Sequence, residues 1–529
     1  MNYGFLIDNR KCIGCHACTV ACKSEHDVPI GVNRTWVKQT EKGEFPNARR
    51  VFSVLRCNHC ASAPCVEICP VEALYVRNDG IVDFNNDRCI GCKSCMQACP
   101  YDALYIDPDT RTAAKCNYCA HRIDIGLEPA CVNVCPEHAI VSGDMDNPDS
   151  EIARLLAREA VTVRKPEKGT QPHVFYIEGD AASLTPSMTE RSDQYIWGSQ
   201  SAGVGHYARY LESRGGKDPG AMQSQLAGIP SGKRTVEVLM ENTSGARRVY
   251  DTPDKGILWG WEVAAYILTK GVASGAMLIL LIAALSGLQL SDNTSYLAGL
   301  NALVFLTLTG ALLVMDLDKP SRFLYVLLRP QWKSWLTRGG YAITLFGGLT
   351  FCWLIALFLN YPSLTRVLFY LSSAAAVPVA VYTAFLFAQA KGRDFWQSPT
   401  LALHMLIHSV MGGAAFISLT SILFPLDAEL AGLIRTILPA SLILNVVLMG
   451  IELTLSHPTQ DAKSVAQMIV RGRYRNLFWI GALLAGNVLP LLILLAAPAF
   501  SGIAAVLALT GIYVTEKIWV EAPQRIPLT

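Results

Sequence analysis

Cys89-Ile-Gly-Cys92-Lys-Ser-Cys95-Met-Gln-Ala-Cys99-Pro100 is the stretch on which the reading of this 529-residue chain turns. Its C-x2-C-x2-C-x3-C spacing recurs at Cys12, Cys15, Cys18 and Cys22. A third group, Cys57, Cys60, Cys65 and Cys69, has spacing C-x2-C-x4-C-x3-C and is followed by Pro70. The last, Cys116, Cys119, Cys131 and Cys135, has eleven residues in its middle and is followed by Pro136. Sixteen of the seventeen cysteines fall in these four groups.

Disulfide frameworks belong to small secreted chains, and the start, MNYGFLIDNRKC, shows no apolar signal-peptide core. Zinc uses C-x2-C pairs, but not four tetrads of which three are closed by Cys-Pro. Three closely spaced cysteines with a remote fourth before proline are the ferredoxin signature of a [4Fe–4S] cluster. At four thiolates per cubane, sixteen make four clusters. Cys352 lies in an apolar run and reads as a small hydrophobe.

The groups form an internal repeat. Cys69-Pro-Val-Glu-Ala-Leu-Tyr, Cys99-Pro-Tyr-Asp-Ala-Leu-Tyr and Cys135-Pro-Glu-His-Ala-Ile-Val share one pattern. Proline ends the short helix before it, and the apolar residues after it read as a strand. Asn78-Asp79-Gly80 predicts a turn into a strand over 81–84. Two such units make one ferredoxin fold, so four groups make two. In two-cluster ferredoxins the fourth cysteine ligates the other cluster. Cys57, Cys60 and Cys65 then share a cubane with Cys99, and Cys89, Cys92 and Cys95 share one with Cys69.

This array resembles the four-cluster electron-transfer subunit of the molybdenum oxidoreductases, such as those of dimethyl sulfoxide reductase and polysulfide reductase. The resemblance spans roughly residues 1–180. It implies that the outer groups pair as well: Cys12, Cys15 and Cys18 with Cys135, and Cys116, Cys119 and Cys131 with Cys22. Lys11, Lys23, Arg56, Arg88, Lys93, Lys115 and Arg122 lie between the groups. They read as a mixture of surface charge and compensation of the anionic clusters. His16, His26, His59 and His121 read as neighbours of the thiolates or surface residues, because the ligand count is complete without them.

Hydrophobic residues make up 51% of the chain and charged residues 17%, but the two are unevenly shared. The expected division is a four-cluster ferredoxin-like domain over 1–182, an irregular connector over 183–256 and a membrane domain over 257–529. The fold class is then an α+β double ferredoxin-like domain followed by an all-α eight-helix transmembrane bundle. Ser150–Ala160 has a cap residue and helical periodicity. Trp197, Tyr207 and Tyr210 are candidate anchors of the connector. Apolar runs of spanning length fall at about 258–288, 296–316, 341–359, 366–390, 400–424, 431–455, 477–497 and 498–520.

Thirteen basic residues flank the even-numbered ends of these spans, from Lys319 to Arg525, against Arg366 and Arg435 on the other face. By the positive-inside rule and the even span number, the cluster domain faces the cytoplasm. Polar groups inside spans are functional candidates. Glu262, Tyr266 and Lys270 recur on one face of the first span, and Tyr382 ends the fourth. His404 and His408 begin the fifth, and Glu452 ends the sixth. These seven are the candidate quinone and proton residues. Two histidines on one helix face cannot be the two axial ligands of one haem, so no haem is expected. Asn445, Asn487 and Pro490 read as packing or kink residues.

The second half resembles the eight-span, NrfD-like membrane subunit of polysulfide reductase. The resemblance is carried by Gly271-Val-Ala-Ser-Gly275, Asp316-Leu-Asp-Lys-Pro-Ser-Arg-Phe323, and Tyr382-Thr-Ala-Phe-Leu386 leading to Ala390-Lys-Gly-Arg393. It implies a bound quinone, menaquinone or ubiquinone, contacted by Tyr382, without haem. Tyr266 stands where polysulfide reductase has histidine. The combined reading is an electron-transfer and anchor subunit in a bacterial or archaeal cytoplasmic membrane. Its implied partners are a large molybdenum or tungsten bis-pterin catalytic subunit, the membrane quinone and the lipid bilayer, and no nucleic acid. Cytoplasmic clusters suggest oxidation of a donor such as sulfite or formate. The alternatives are a terminal reductase of polysulfide, dimethyl sulfoxide or a similar acceptor, and a quinol-oxidising module of a larger respiratory complex.

Overall fold

The computed structural model of the chain describes residues 1–44, 46–189, 246–252, 254–455 and 457–529. Trp197, Tyr207 and Tyr210, and most of the expected connector, lie outside them. The chain divides into two compact units. One comprises Met1–Leu258 with Ala390–Arg393 and Gln524–Thr529, the other Trp259–Gln389 with Asp394–Pro523.

The first unit is built on a four-stranded sheet. Its strands are β1 (Tyr3–Asp8), β8 (Ile140–Asp144), β9 (Val161–Thr162) and β10 (Val174–Ile177), in the order β8-β1-β10-β9. β1 runs parallel to β10, with Phe5 opposite Val174, and antiparallel to β8, with Phe5 opposite Ser142. β1 is buried along nearly its whole length, as a central strand covered on both faces must be. Phe5, Ile7, Val54, Tyr118, Ile140 and Tyr176 pack into one core with Cys18 and Cys131.

β2 (Thr35–Lys42) and β3 (Arg49–Arg56) form a hairpin, with Thr35 opposite Arg56. β11 (Ala246–Tyr250) adds to its edge, with Ala246 opposite Lys42. This strand lies within the last residues of the expected connector. Its inward residue is Arg248, fully buried and ion-paired with Asp251 at 2.9 Å. An inward arginine erases the apolar alternation by which strands are recognised. Asp251 also accepts the indole N–H of Trp36 at 2.8 Å.

β4 (Leu74–Val76) and β5 (Val82–Phe84) form the hairpin that the Asn-Asp-Gly turn predicts. β6 (Leu104–Ile106) and β7 (Ala113–Lys115) are its repeat. The helix over Glu151–Arg158 is capped by Ser150, whose Oγ accepts from Ala153 N at 3.1 Å, as its sequence predicts. Within this same unit Gln97 bonds Gln524 and Arg393, and Arg393 bonds the carbonyl of Ile526. Residues 390–393 and 524–529 thus join this unit from far along the chain.

The second unit contains eight helices of spanning length and apolarity among the described residues. They run Trp261–Leu285, Asp292–Met315, Trp335–Phe358, Pro362–Gln389, Leu401–Thr420, Ala428–Thr454, Leu477–Ala496 and Pro498–Gln524, and are called the first to eighth spans. Each coincides with one of the apolar runs. The first and fifth are the most enclosed, each 72% buried over its most apolar stretch, against 28% for the second, third and seventh. Gly275 and Gly413 explain how the first and fifth pack. A Cβ on Gly275 would collide with the carbonyl of Ser409, and one on Gly413 with the backbone of Gly275. Small residues let membrane helices approach backbone to backbone. The seventh span is wound with π-helical hydrogen bonding over Leu477–Val488 before it returns to α-helix at Leu489, a geometry often associated with function.

Candidate electron-transfer and quinone sites

Four sets of cysteines converge in the first unit. Cys12, Cys15, Cys18 and Cys135 line one cavity. Cys69, Cys89, Cys92 and Cys95 line a second. Cys22 lies within electrostatic range of Cys116, Cys119 and Cys131, and Cys65 within range of Cys57, Cys60 and Cys99. Each set thus draws three cysteines from one group and one from another.

Local backbone explains the geometry. Cys65 and Cys95 sit on the short helices Pro64–Ile68 and Ser94–Ala98. Cys69 and Cys99 follow those helices in extended conformation, with ψ of 117° and 114°, because the residue before proline is disfavoured in the helical region. The Cys-Pro-x-x-Ala repeat then turns back on its own sulfur. Glu72, Asp102 and His138, three residues after the cysteine, all have positive φ, at 51°, 55° and 48°. That turn aims the next N–H at sulfur: Ala73 N at Cys69 Sγ, 3.2 Å, and Ala139 N at Cys135 Sγ, 3.2 Å. The Ala103 N–H bonds Cys99 in the same way.

The donor sets fit iron–sulfur ligation. Burial pushes the Cys18 thiol up to about 11 and those of Cys92 and Cys119 up to about 12. Thiols so placed stay protonated at neutral pH unless a bound cation draws the protons off. Hydrogen bonds to sulfur and buried cations then tune such a centre. Arg56 is fully buried, donates from Nη1 to Cys131 Sγ at 3.1 Å, and lies 4.3 Å over the Phe5 ring. Lys115 is also fully buried and bonds the carbonyls of Val82 and Cys116. Of the seven basic residues between the groups, these two alone are fully buried. His26 Nε2 lies 3.2 Å from Cys119 Sγ. Burial pulls His26 down to about 4, so the neutral ring is the form that meets sulfur. His59 Nδ1 accepts from Val82 N, while His121 reaches Glu25 at the surface.

In the second unit the seven candidates separate. Lys270 Nζ donates to Thr383 Oγ1 at 2.7 Å and to Ala380 O at 3.0 Å. It lies 4.5 Å from the Tyr382 ring centroid, within the range of a cation–π contact. Tyr266 is buried beside Tyr382 and Thr383. Gly339 of the third span makes the room, since a Cβ there would collide with the Tyr382 ring. Glu262 stands apart from this group, half-buried in the first turn of its span.

The second gathering is histidine and carboxylate. His404 Nδ1 lies 2.9 Å from Glu452 Oε2, and His408 Nδ1 lies 2.7 Å from Glu516 Oε1. The two rings meet at 4.2 Å between centroids. Glu452 also accepts from Trp519 Nε1 and Thr400 Oγ1, each at 2.9 Å. His408 Nε2 lies 3.0 Å from Asn445 Oδ1, and Asn445 Nδ2 donates to Asn487 Oδ1 at 3.0 Å. Asn445 and Asn487, read from sequence as packing or kink residues, therefore belong to this network. Glu516 was missed by sequence reasoning. Its signal was a carboxylate inside the run 498–520, masked by the adjacent Lys517 near the chain end.

Both units have known relatives. Residues 11–74 and 49–145 each match a 4Fe-4S dicluster domain, and residues 252–517 match the family described as polysulphide reductase, NrfD. A tetrathionate reductase subunit of Salmonella typhimurium is 48% identical over 200 residues, which is 37% of this chain and 79% of the relative. A polysulfide reductase polypeptide of Wolinella succinogenes is 44% identical over 180 residues, 33% of this chain and 93% of the relative. A putative dimethyl sulfoxide reductase iron–sulfur subunit of Halobacterium salinarum is 35% identical over 225 residues, 37% of this chain and 86% of the relative.

Proposed function

Because the chain belongs to the polysulphide reductase NrfD family through residues 252–517 and to the 4Fe-4S dicluster iron–sulfur subunits through its first third, we propose that it joins a separate catalytic subunit to the membrane quinone pool. The chain is an electron-transfer subunit fused to a multi-pass membrane subunit. The observation that carries the proposal is that one polypeptide holds four convergent cysteine quartets and, in its membrane helices, a buried lysine set against a tyrosine.

The ligand assignment is one quartet per cluster. Cys12, Cys15, Cys18 and Cys135 form the first, and Cys22, Cys116, Cys119 and Cys131 the second. Cys57, Cys60, Cys65 and Cys99 form the third, and Cys69, Cys89, Cys92 and Cys95 the fourth. Bound there, [4Fe–4S] cubanes would supply a series of one-electron sites. Arg56, Lys115, His26 and the Cys-Pro-x-x-Ala amides set the electrostatics around the thiolates. The quinone head group is assigned to Tyr266, Lys270 and Tyr382, with Thr383 holding the ammonium in place. Glu262, at the half-exposed start of the same helix, offers protons an entry. His404, His408 and Glu452, expected at the same site, form their own group and are given no quinone contact.

The excess of basic residues at the even-numbered span ends supports a cytoplasmic position for the cluster unit. The partner is a molybdenum or tungsten bis-pterin subunit. The relatives' names are those of reductase subunits, which favours electron flow from quinol to the partner. The basic-residue bias favours the second direction, oxidation of a cytoplasmic donor into the quinone pool. Purification from native membranes tests the proposal. The expected complex holds about sixteen irons per chain and one large molybdenum or tungsten polypeptide. A complex holding cytochromes and neither metal would contradict the assigned partner.

A further inference from the structure

The network around His408 has a fixed direction. Asn487 Nδ2 donates to Ala482 O at 2.8 Å, and a backbone carbonyl can only accept. Asn487 Oδ1 therefore faces Asn445 Nδ2, and Asn445 Oδ1 faces His408 Nε2. His408 must carry its proton on Nε2. Its Nδ1, a lone pair in the neutral ring, then faces the Glu516 carboxylate at 2.7 Å. Two acceptors at that distance require either a proton or a metal ion between them.

His404 is fixed in the same manner. Glu452 Oε2 already accepts from Trp519 Nε1, and Oε1 from Thr400 Oγ1, so Glu452 acts as an acceptor and His404 Nδ1 carries the proton. His404 Nε2 is left buried with no hydrogen-bond partner, in a residue with no exposed surface. One ring nitrogen from each histidine and one Glu516 oxygen lie within 4.8 Å of one another. Lys270 lies within electrostatic range of Glu516, but its ammonium is directed at Thr383 Oγ1 and Ala380 O.

We propose that His404, His408 and Glu516 form a binding site for one divalent transition-metal ion inside the membrane bundle. Imidazole and carboxylate ligands suit zinc or manganese, and three protein ligands leave a position open. Each histidine has the outer partner that metal-bound imidazoles need, Glu452 for His404 and Asn445 for His408. A dication balances the two buried carboxylates, Glu452 and Glu516. A proton shared between His408 and Glu516 would satisfy that pair but leave His404 Nε2 with nothing to bind. The ion would tie the fifth span to the eighth. The site is independent of the quinone assignment and of the direction of electron flow.

The test uses the full chain purified with its clusters intact, stripped with a chelator and titrated with Zn2+. Uptake of one zinc per chain is expected. X-ray absorption at the zinc edge should show nitrogen and oxygen neighbours at about 2.0–2.2 Å. Glu516→Gln should weaken binding at least tenfold, and Glu452→Gln, which leaves all three ligands in place, by about 10–100-fold. Less than stoichiometric uptake would overturn the proposal, and so would affinity unchanged in both variants. A sulfur shell at about 2.3 Å would also overturn it, because the zinc would then sit on the cluster cysteines. If Glu516→Gln does not accumulate as a monodisperse protein, the absorption spectrum of the wild type and the Glu452→Gln affinity still decide.

Discussion

Arg56 is the residue whose placement most changes what the sequence implies. Among seven basic residues near the cysteines, nothing in the sequence separates it from Arg88 or Lys93. The fold buries it at the end of β3, opposite Thr35, with its guanidinium between Phe5 and the Cys131 sulfur. Its charge also lies near Cys116 and Cys18, which belong to two different quartets. A buried hydrogen bond to a charged group is worth about 1.5–3 kcal/mol. For a one-electron centre, about 1.4 kcal/mol corresponds to roughly 59 mV. Arg56→Met is therefore expected to lower the reduction potential of at least one cluster by roughly 60–130 mV, read by potentiometric EPR titration. Lys93→Met, at a half-exposed site, should shift it much less.

The informative elements are the Cys-Pro-x-x-Ala turns. Their cysteines and prolines were legible because ligand spacing is local. Their purpose was not, because a positive φ leaves no mark when it falls on Glu72, Asp102 or His138 instead of glycine. Left-handed backbone costs a residue with a Cβ about 1–2 kcal/mol, and β-branching raises the cost. Glu72 is exposed, and its pairing with Arg88 is a surface contact worth little. Glu72→Val should therefore lower the stability of the cluster unit by about 1–2 kcal/mol relative to Glu72→Gly, measured as the difference in chemical denaturation midpoint. Equal midpoints would mean that the turn is not under this constraint. β11 shows the complementary limit. Its inward Arg248 pairs with Asp251 across a bulge, and a buried ion pair leaves no hydrophobic period to read.

Across the whole molecule, the two levels of organisation differ in how they are written. Eight spans and four cysteine groups were legible because each is set by contiguous composition or short spacing. The groupings inside the membrane bundle were less so, because they join residues far apart in the chain. Lys270 meets Thr383, His408 meets Glu516, and Asn445 meets Asn487. A stripe on one helix face grouped Tyr266 with Lys270, yet it also enlisted Glu262, which stands at the half-exposed start of the span. The boundary of the cluster unit was hidden for the same reason, since Ala390–Arg393 and Gln524–Thr529 belong to it.

The proposed route carries electrons between the cysteine-held clusters and a quinone beside Lys270 and Tyr382. The direct measurement is rapid mixing of the dithionite-reduced, full-length protein with a short-chain quinone analogue, followed by the return of cluster absorbance. Prompt reoxidation is expected in the wild type and at least tenfold slower reoxidation in Lys270→Met, with iron content unchanged. Reoxidation at the same rate in both proteins would contradict it.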